Sequence, residues 1–348
     1  MSSTSKRKML IIGPAPLSIG GVAIHIRRLA NLLKDDLDIT YVDEGRERFD
    51  GFFNLRSLNL YKYLKLIFAA DVVYINSGVP ILRIFHILIC KLLLRKTTVV
   101  TIHHDVTRER IVSLTKFFVK RCDTLMVVNE TTKEIFTGVV KKLIYLSAFI
   151  PPDIKLETEL PNDITNWCKK CREDKDAVLM VSNAWNLVLY DGCDLYGLDL
   201  CLEAMNMLLN EQAKKNFYLI FVVASNTSNL ALIEEYKNFV INNGLQNNVL
   251  IWESGLSFIR LINEADIVLR TTNTDGEALT IREAISLGKK IIASDVIPRP
   301  EGTFLFENRD FKSLADAIVR ASVSDASSNH KNLPIDYYKK FYLEIFNN

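Results

Sequence analysis

From residue 9 onward, short runs of β-branched and other apolar residues alternate with longer segments whose apolar positions recur at helical spacing. MLII, DITYV, DVVYI, TTVVTI, TLMVV and KLIYL read as strands. Each is a brief and nearly continuous apolar run, as expected of strands covered on both faces in a parallel sheet. Between the first two, Val22, Ala23, Ile26, Leu29, Ala30 and Leu33 share one helical face, which completes a strand, helix, strand unit.

The alternation breaks at FIPPDIKLETELPNDITNW, residues 149–167, where prolines and carboxylates interrupt any apolar period. It then resumes with AVLMVS, FYLIFVVA, NVLIW, DIVLR and KKIIAS, separated by helices expected near 197–210, 228–243, 255–264 and 279–287. The pattern predicts an α/β protein with two Rossmann-like domains. Residues 1–150 form the first, 151–176 a connection and 177–330 the second, and a helix in 331–348 is expected to cross back to the first. Ligands of open parallel sheets bind beyond the carboxyl ends of the strands, so two such domains are expected to face each other across a cleft. Residues just after strands are then the ones to search for chemistry.

Composition narrows the possibilities. A chain of 348 residues that is 49% hydrophobic has enough apolar material for two cores. The opening MSSTSKRK is polar and basic and does not read as a secretory signal. PILRIFHILICKLLLRK, residues 80–96, carries Arg83, His86 and Lys91, too many charges for a spanning helix, so a buried or interfacial helix is expected. The six cysteines show no disulfide spacing, which suits a reducing, cytoplasmic setting. Cys168 and Cys171 lack the partners of a zinc site and read as helix-surface thiols.

The net charge of +2 is unevenly spread: residues 1–150 hold 23 Lys and Arg against 13 Asp and Glu. Basic and apolar residues mingle at 55–68 and 82–96, a mixture suited to anionic lipid headgroups at the inner face of a membrane. Solvated helix faces would have the same composition. No stacking-aromatic motif or recognition helix points to nucleic acid.

The most informative segment is TTNTDGEALTIREAISLG, which follows the strand DIVLR. A helix beginning near Leu279 would offer unpaired N–H groups and its positive dipole end to a diphosphate, and Gly276 would let the backbone approach closely. Glu283, inside the helix, could accept from a ribose diol, and Asp275, before it, from a hexose hydroxyl. The plainer alternative makes Asp275 a turn residue and Glu283 a solvated carboxylate. The run on into ISLGKKIIASD favours the functional alternative, because it completes a strand, loop, helix, strand unit ending at Gly288.

DGEALTIREAISLGKKIIASD resembles the donor-site signature of family-4 retaining glycosyltransferases, enzymes of the GT-B fold. The resemblance implies a metal-independent transferase that moves a sugar from a nucleoside diphosphate sugar, a UDP-sugar being expected, to a hydroxyl acceptor with retention of configuration. No cofactor is implied. It assigns Asp275 to the transferred sugar, Gly276, Glu277, Ala278 and Leu279 to sugar and phosphate, and Glu283 to the ribose. The family's first acidic residue is usually Glu, so Asp275 is a departure. IGGVAIHIRRLANLL resembles the family's first loop and helix, where Gly20 and Gly21 expose backbone amides to donor phosphates or acceptor. TIHHD resembles its post-strand histidine, which points to His103 as a catalytic residue, with His104 and Asp105 in reserve.

The family also carries an Arg and a Lys after the first strand of the second domain. Here no Lys or Arg occurs from Ala177 to Ala204, and Asp191, Asp194 and Asp199 stand there instead. Phosphate charge is then expected to be met by Arg270 and Arg299, while Arg282 reads as a surface residue. A glycan or lipid-linked acceptor in surface polysaccharide or glycolipid assembly suits the basic first half. A nucleotide-sugar 2-epimerase and a non-catalytic nucleotide-sugar-binding protein are the alternatives.

Overall fold

The computed structural model describes residues 6–18, 20–147, 149–210, 216–225, 229–275, 278–324 and 334–347. It comprises two compact units, Met1–Pro151 with Leu333–Asn348, and Pro152–Asn332.

The first unit is built on strands β1 (Arg7–Gly13), β2 (Leu37–Asp43), β3 (Phe53–Asn54), β4 (Val72–Ile75), β5 (Thr97–Ile102), β6 (Thr124–Val127) and β7 (Leu143–Tyr145). They pair in parallel in the order β3-β2-β1-β4-β5-β6-β7. β3, only two residues long, leaves no apolar period and was not expected. The continuous apolar run of β1 is explained by cover on both faces. Leu10 and Ile12 point into one core with Tyr63 and Ile67, whereas Met9 and Ile11 point into another with Ile26, Leu29 and Leu33. The first core is closed by α2 (Leu60–Ala69) and α3 (Pro80–Ile87), and the second by α1 (Gly21–Leu33) and the terminal helix Ile335–Asn347, whose Tyr342, Ile345 and Phe346 are buried there. Two further helices, α4 (Val112–Val119) and α5 (Glu130–Phe136), complete the unit.

The apolar 80–96 stretch is α3 followed by a π-helical turn, Leu88–Leu93. Its charges turn inward: Arg83 pairs with Glu109, His86 bonds Glu44 Oε1 at 2.8 Å and Tyr63 Oη at 2.6 Å, and Lys91 reaches Asp123. No helix among the described residues is long and apolar enough to cross a membrane.

The second unit opens with α6 (Asn162–Arg172), inside the stretch expected to be only a connection. Ile164, Cys168 and Cys171 of this helix join the core under Leu179 and Val181. The two cysteines are therefore not surface thiols; burial pushes Cys168 up to about 11 and Cys171 up to about 12. All six cysteines are free.

β8 (Ala177–Ala184), a short hairpin β9 (Leu189–Tyr190) and β10 (Cys193–Asp194), β11 (Asn216–Val223), β12 (Val249–Trp252), β13 (Ile267–Arg270), β14 (Lys290–Ser294) and β15 (Phe304–Phe306) follow. The parallel sheet has the order β12-β11-β8-β13-β14-β15. It is flanked by α7 (Leu198–Asn210), α8 (Leu230–Asn242), α9 (Phe258–Glu264), α10 (Leu279–Ser286) and α11 (Phe311–Val323). The order reverses at β8, between β11 and β13, and the ends of those strands carry the segments singled out from the sequence.

Candidate functional site

β13 ends at Arg270 and feeds a loop into α10. The helix starts at Leu279 after Ala278, which has no side chain able to cap it, and no acidic residue occupies the first turn. Among the described residues no side chain caps this helix start, the arrangement that suits an incoming anion. Gly276 and Glu277, the other expected loop contacts, lie outside the described residues. Glu283 sits on the second turn and is 6% exposed. It is not a solvated helix carboxylate. Arg282, beside it, is partly exposed.

Asp275 is held rather than open. Arg270 donates to it from Nη2 to Oδ1 at 2.9 Å and from Nε to Oδ2 at 3.1 Å. Oδ2 also accepts from Arg299 Nη1 at 2.8 Å and from Thr272 Oγ1 at 3.2 Å. Burial raises its affinity for a proton, but the bonds and charges of Arg270 and Arg299 outweigh that and keep its carboxyl below the ordinary value. Arg299 completes the cluster through Ser294, donating from Nε to the carbonyl at 2.9 Å and from Nη2 to Oγ at 3.3 Å. The acid expected at the sugar and the two cations expected at the phosphate thus form one ion cluster. Sequence distance hid this, because Arg299 arrives from the loop after β14.

The segment without Lys or Arg wraps onto the same strand end. Asp194 is 1% exposed and accepts from the amides of Tyr196 at 2.9 Å and Leu198 at 3.0 Å and from Tyr236 Oη at 3.2 Å. Gly197 follows with φ +71°, and a Cβ there would lie 2.3 Å from the carbonyl oxygen of Thr271, so only glycine fits. Thr271 Oγ1 donates to the Tyr196 carbonyl at 2.7 Å, and the Asn273 amide donates to Leu195 O at 3.1 Å. Asp199 is paired with Arg309. Of the three acidic residues that stood where cations were expected, Asp194 is therefore a turn support, Asp199 an ion-pair partner, and Asp191 an exposed turn residue with φ +50° between β9 and β10. Arg309 carries φ +65° and was missed from the sequence because it lies over a hundred residues from its partner.

In the first unit, Gly20 takes φ 140° and precedes α1, which starts at Gly21 without a side-chain cap. His103 follows β5 and its Nε2 donates to Asn76 Oδ1 at 3.0 Å, which leaves Nδ1 as an acceptor. Desolvation, with the nearby His25, His104 and Arg83, holds His103 well below the ordinary histidine value. Its imidazole is therefore neutral at physiological pH. Asn76, fully buried after β4, was not anticipated. His25 is buried and bonded to Tyr74 Oη at 3.1 Å. His104 bonds Glu109 Oε1 at 2.8 Å, and Asp105 caps a short 3-10 turn through the Thr107 amide. Among the described residues, no group of three or more His, Cys, Asp or Glu is placed to hold a metal ion.

Residues 189–322 match the family model described as Glycosyl transferases group 1. No curated protein matches the chain. Among solved structures, it is similar to a glycosyltransferase from Rickettsia africae ESF-5, with a TM-score of 0.71 and 16% identity over 99% of this chain and 98% of that one. It is similar also to HepE from Anabaena, solved in complex with UDP-glucose, with a TM-score of 0.69 and 14% identity over 98% and 99% of the two chains. A third, sucrose-phosphate synthase from Thermosynechococcus elongatus, gives a TM-score of 0.65 and 14% identity over 99% and 95%. At these identities the likeness establishes the fold, the pair of Rossmann-like α/β units of GT-B proteins.

Proposed function

We propose that the chain is a glycosyltransferase that moves a sugar from a nucleoside diphosphate sugar to a hydroxyl acceptor with retention of configuration. The observation that carries this reading is the end of β13. There, among the described residues, the start of α10 has no side-chain cap, Glu283 is buried on its second turn, and Arg270 and Asp275 of the same loop are joined by Arg299 from the loop after β14. The match of residues 189–322 to the Glycosyl transferases group 1 model supports it. So does the fold shared with HepE, whose structure holds UDP-glucose.

In this reading the first-turn amides of α10 meet the diphosphate and Glu283 accepts from the ribose diol. The bond from the anomeric carbon to the phosphate oxygen breaks and one to the acceptor oxygen forms on the same face. The acceptor's proton passes to the departing phosphate, so no protein nucleophile or metal ion is required. His103 of the first unit, neutral and oriented by Asn76, has a hydrogen bond to offer rather than a charge. The donor is a UDP-sugar. The acceptor is a glycan or a lipid-linked carrier, approached at the inner face of a membrane through the first unit. Leu60, Tyr61 and Phe68 of α2 are exposed beside the exposed Lys62 and Lys65, which supports that contact.

A thermal-shift screen over nucleotide sugars, followed by product analysis by NMR, tests the reading. A stabilising nucleotide sugar and an acceptor-dependent glycoside of retained configuration are expected. Nucleotide release without an acceptor would indicate the 2-epimerase alternative, and binding without turnover a non-catalytic protein.

A further inference from the structure

The three charged residues at the end of β13 differ in what they can still offer a ligand. Arg299 has a side chain only 2% exposed, and all three of its guanidinium nitrogens donate, to Ser294 and Asp275. Asp275 is 5% exposed and accepts from Arg270, Arg299 and Thr272. A sugar hydroxyl would have to displace one of those donors to reach it. Arg270 is different. Its side chain is 16% exposed, the edge carrying Nε and Nη2 is taken by the carboxylate, and Nη1 donates to no group among the described residues. Its guanidinium also lies 5.8 Å from the centroid of the Tyr196 ring, close enough for a cation–π contact that steadies the plane.

Charge points the same way. Two guanidinium groups against one carboxylate leave the cluster with an excess positive charge, at the strand end where the segment 177–204 supplies no Lys or Arg. Arg309, the other cation brought to that segment, is committed to Asp199 through both its terminal nitrogens. The group with an open donor edge and surface access is Arg270.

We propose that Asp275 is a positioning residue, which holds Arg270 by its two-pronged contact so that the open edge of the guanidinium meets the donor's diphosphate, and that it does not touch the transferred sugar. This rests on the donor reading above. A planar guanidinium fixed along one edge presents the other in a set direction, which a flexible ammonium at this place would not do.

The test is calorimetry on the full chain with UDP and with uridine, which has the base and ribose but no phosphate. Asp275→Asn and Arg270→Gln are each expected to weaken UDP about tenfold and leave uridine unchanged. The double variant should bind UDP no more weakly than Arg270→Gln alone, because Asp275 acts only through the arginine. The idea is overturned if Asp275→Asn binds UDP at parental strength and loses only transfer, since that is the mark of a direct sugar contact. It is also overturned if the two losses multiply, or if uridine weakens by the same factor as UDP. Should Asp275→Asn fail to fold because Arg299 is left without its counter-charge, Arg270→Gln decides. That variant keeps the Arg299 to Asp275 pair, and parental UDP affinity in it overturns the proposal. If the parental chain binds none of UDP, GDP and ADP, the donor reading itself falls. If the parental chain binds UDP and Arg270→Gln binds it equally well, only this assignment falls.

Discussion

Glu283→Ala is expected to weaken nucleoside diphosphates and leave inorganic pyrophosphate unaffected. The carboxylate is 6% exposed on the second turn of α10, so what it binds is largely shielded from water. A hydrogen bond to a charged group contributes about 1.5–3 kcal/mol net, which corresponds to about a ten- to a hundredfold loss in affinity for UDP. Pyrophosphate has no ribose, and its contacts with the helix amides and Arg270 should persist. The contrast can be read by titration calorimetry and also by unfolding. With UDP fixed at about 100 times the parental dissociation constant, the parental chain gains roughly 2.7 kcal/mol. A tenfold weaker variant gains roughly 1.4 and a hundredfold weaker one roughly 0.4. Stability without ligand serves as the control for damage to the helix. If UDP binds the variant at parental strength, Glu283 is a buried structural carboxylate and the ribose assignment is wrong. If pyrophosphate weakens as much as UDP, the residue acts on the fold of the loop rather than on the ligand.

Other outcomes follow from the same geometry. His103 is held neutral, so below its ordinary value near pH 6.5 the unfolded chain takes up a proton that the folded one refuses. The stability present above that pH should fall as pH drops through it, by up to about 1.4 kcal/mol per unit for one proton, and His103→Gln should flatten the slope in chemical denaturation. An unchanged slope would show that His103 titrates normally. Glu109→Gln should destabilise the chain by about 3–5 kcal/mol, because Arg83 is fully buried and would lose its counter-charge; a change under about 1 kcal/mol in a urea titration would contradict that. Sedimentation with anionic vesicles should exceed that with neutral ones, weaken with salt, and fall when Lys62 and Lys65 are both changed to Glu. Equal sedimentation with both kinds of vesicle would remove the membrane contact.

The sheets were legible because parallel strands buried on both faces write continuous apolar runs. TTVVTI occupies the same residues as β5, and DIVLR and KKIIAS differ from β13 and β14 by one residue at the start. The hairpin of β9 and β10 and the short β3 and β15 were not legible, since two or three residues carry no period. Helix α6 was hidden by the prolines before it and by its polar composition; Ile164, Cys168 and Cys171 are its buried residues, with Trp167 packed beside them. At the candidate site, the loop and helix could be placed because their residues are contiguous. Arg270 and Asp275 share one loop, but Arg299 reaches them from the loop after β14, so the cluster of three could not be read, nor could the pairing of Asp199 with the distant Arg309. The role of Asp194 also depends on tertiary contact: its amide partners are local, but Tyr236 comes from α8.

The central claim is that the loop and helix after β13 bind the nucleoside diphosphate of the donor. Amide hydrogen exchange on the full chain, with and without saturating UDP, GDP or ADP, tests this most directly, because it reports where a ligand orders the backbone. The account expects at least one of the three to slow exchange in the segment from Arg270 to Ser286, strongest at the first turn of α10. Protection confined to other segments, or none with any of the three, would contradict it.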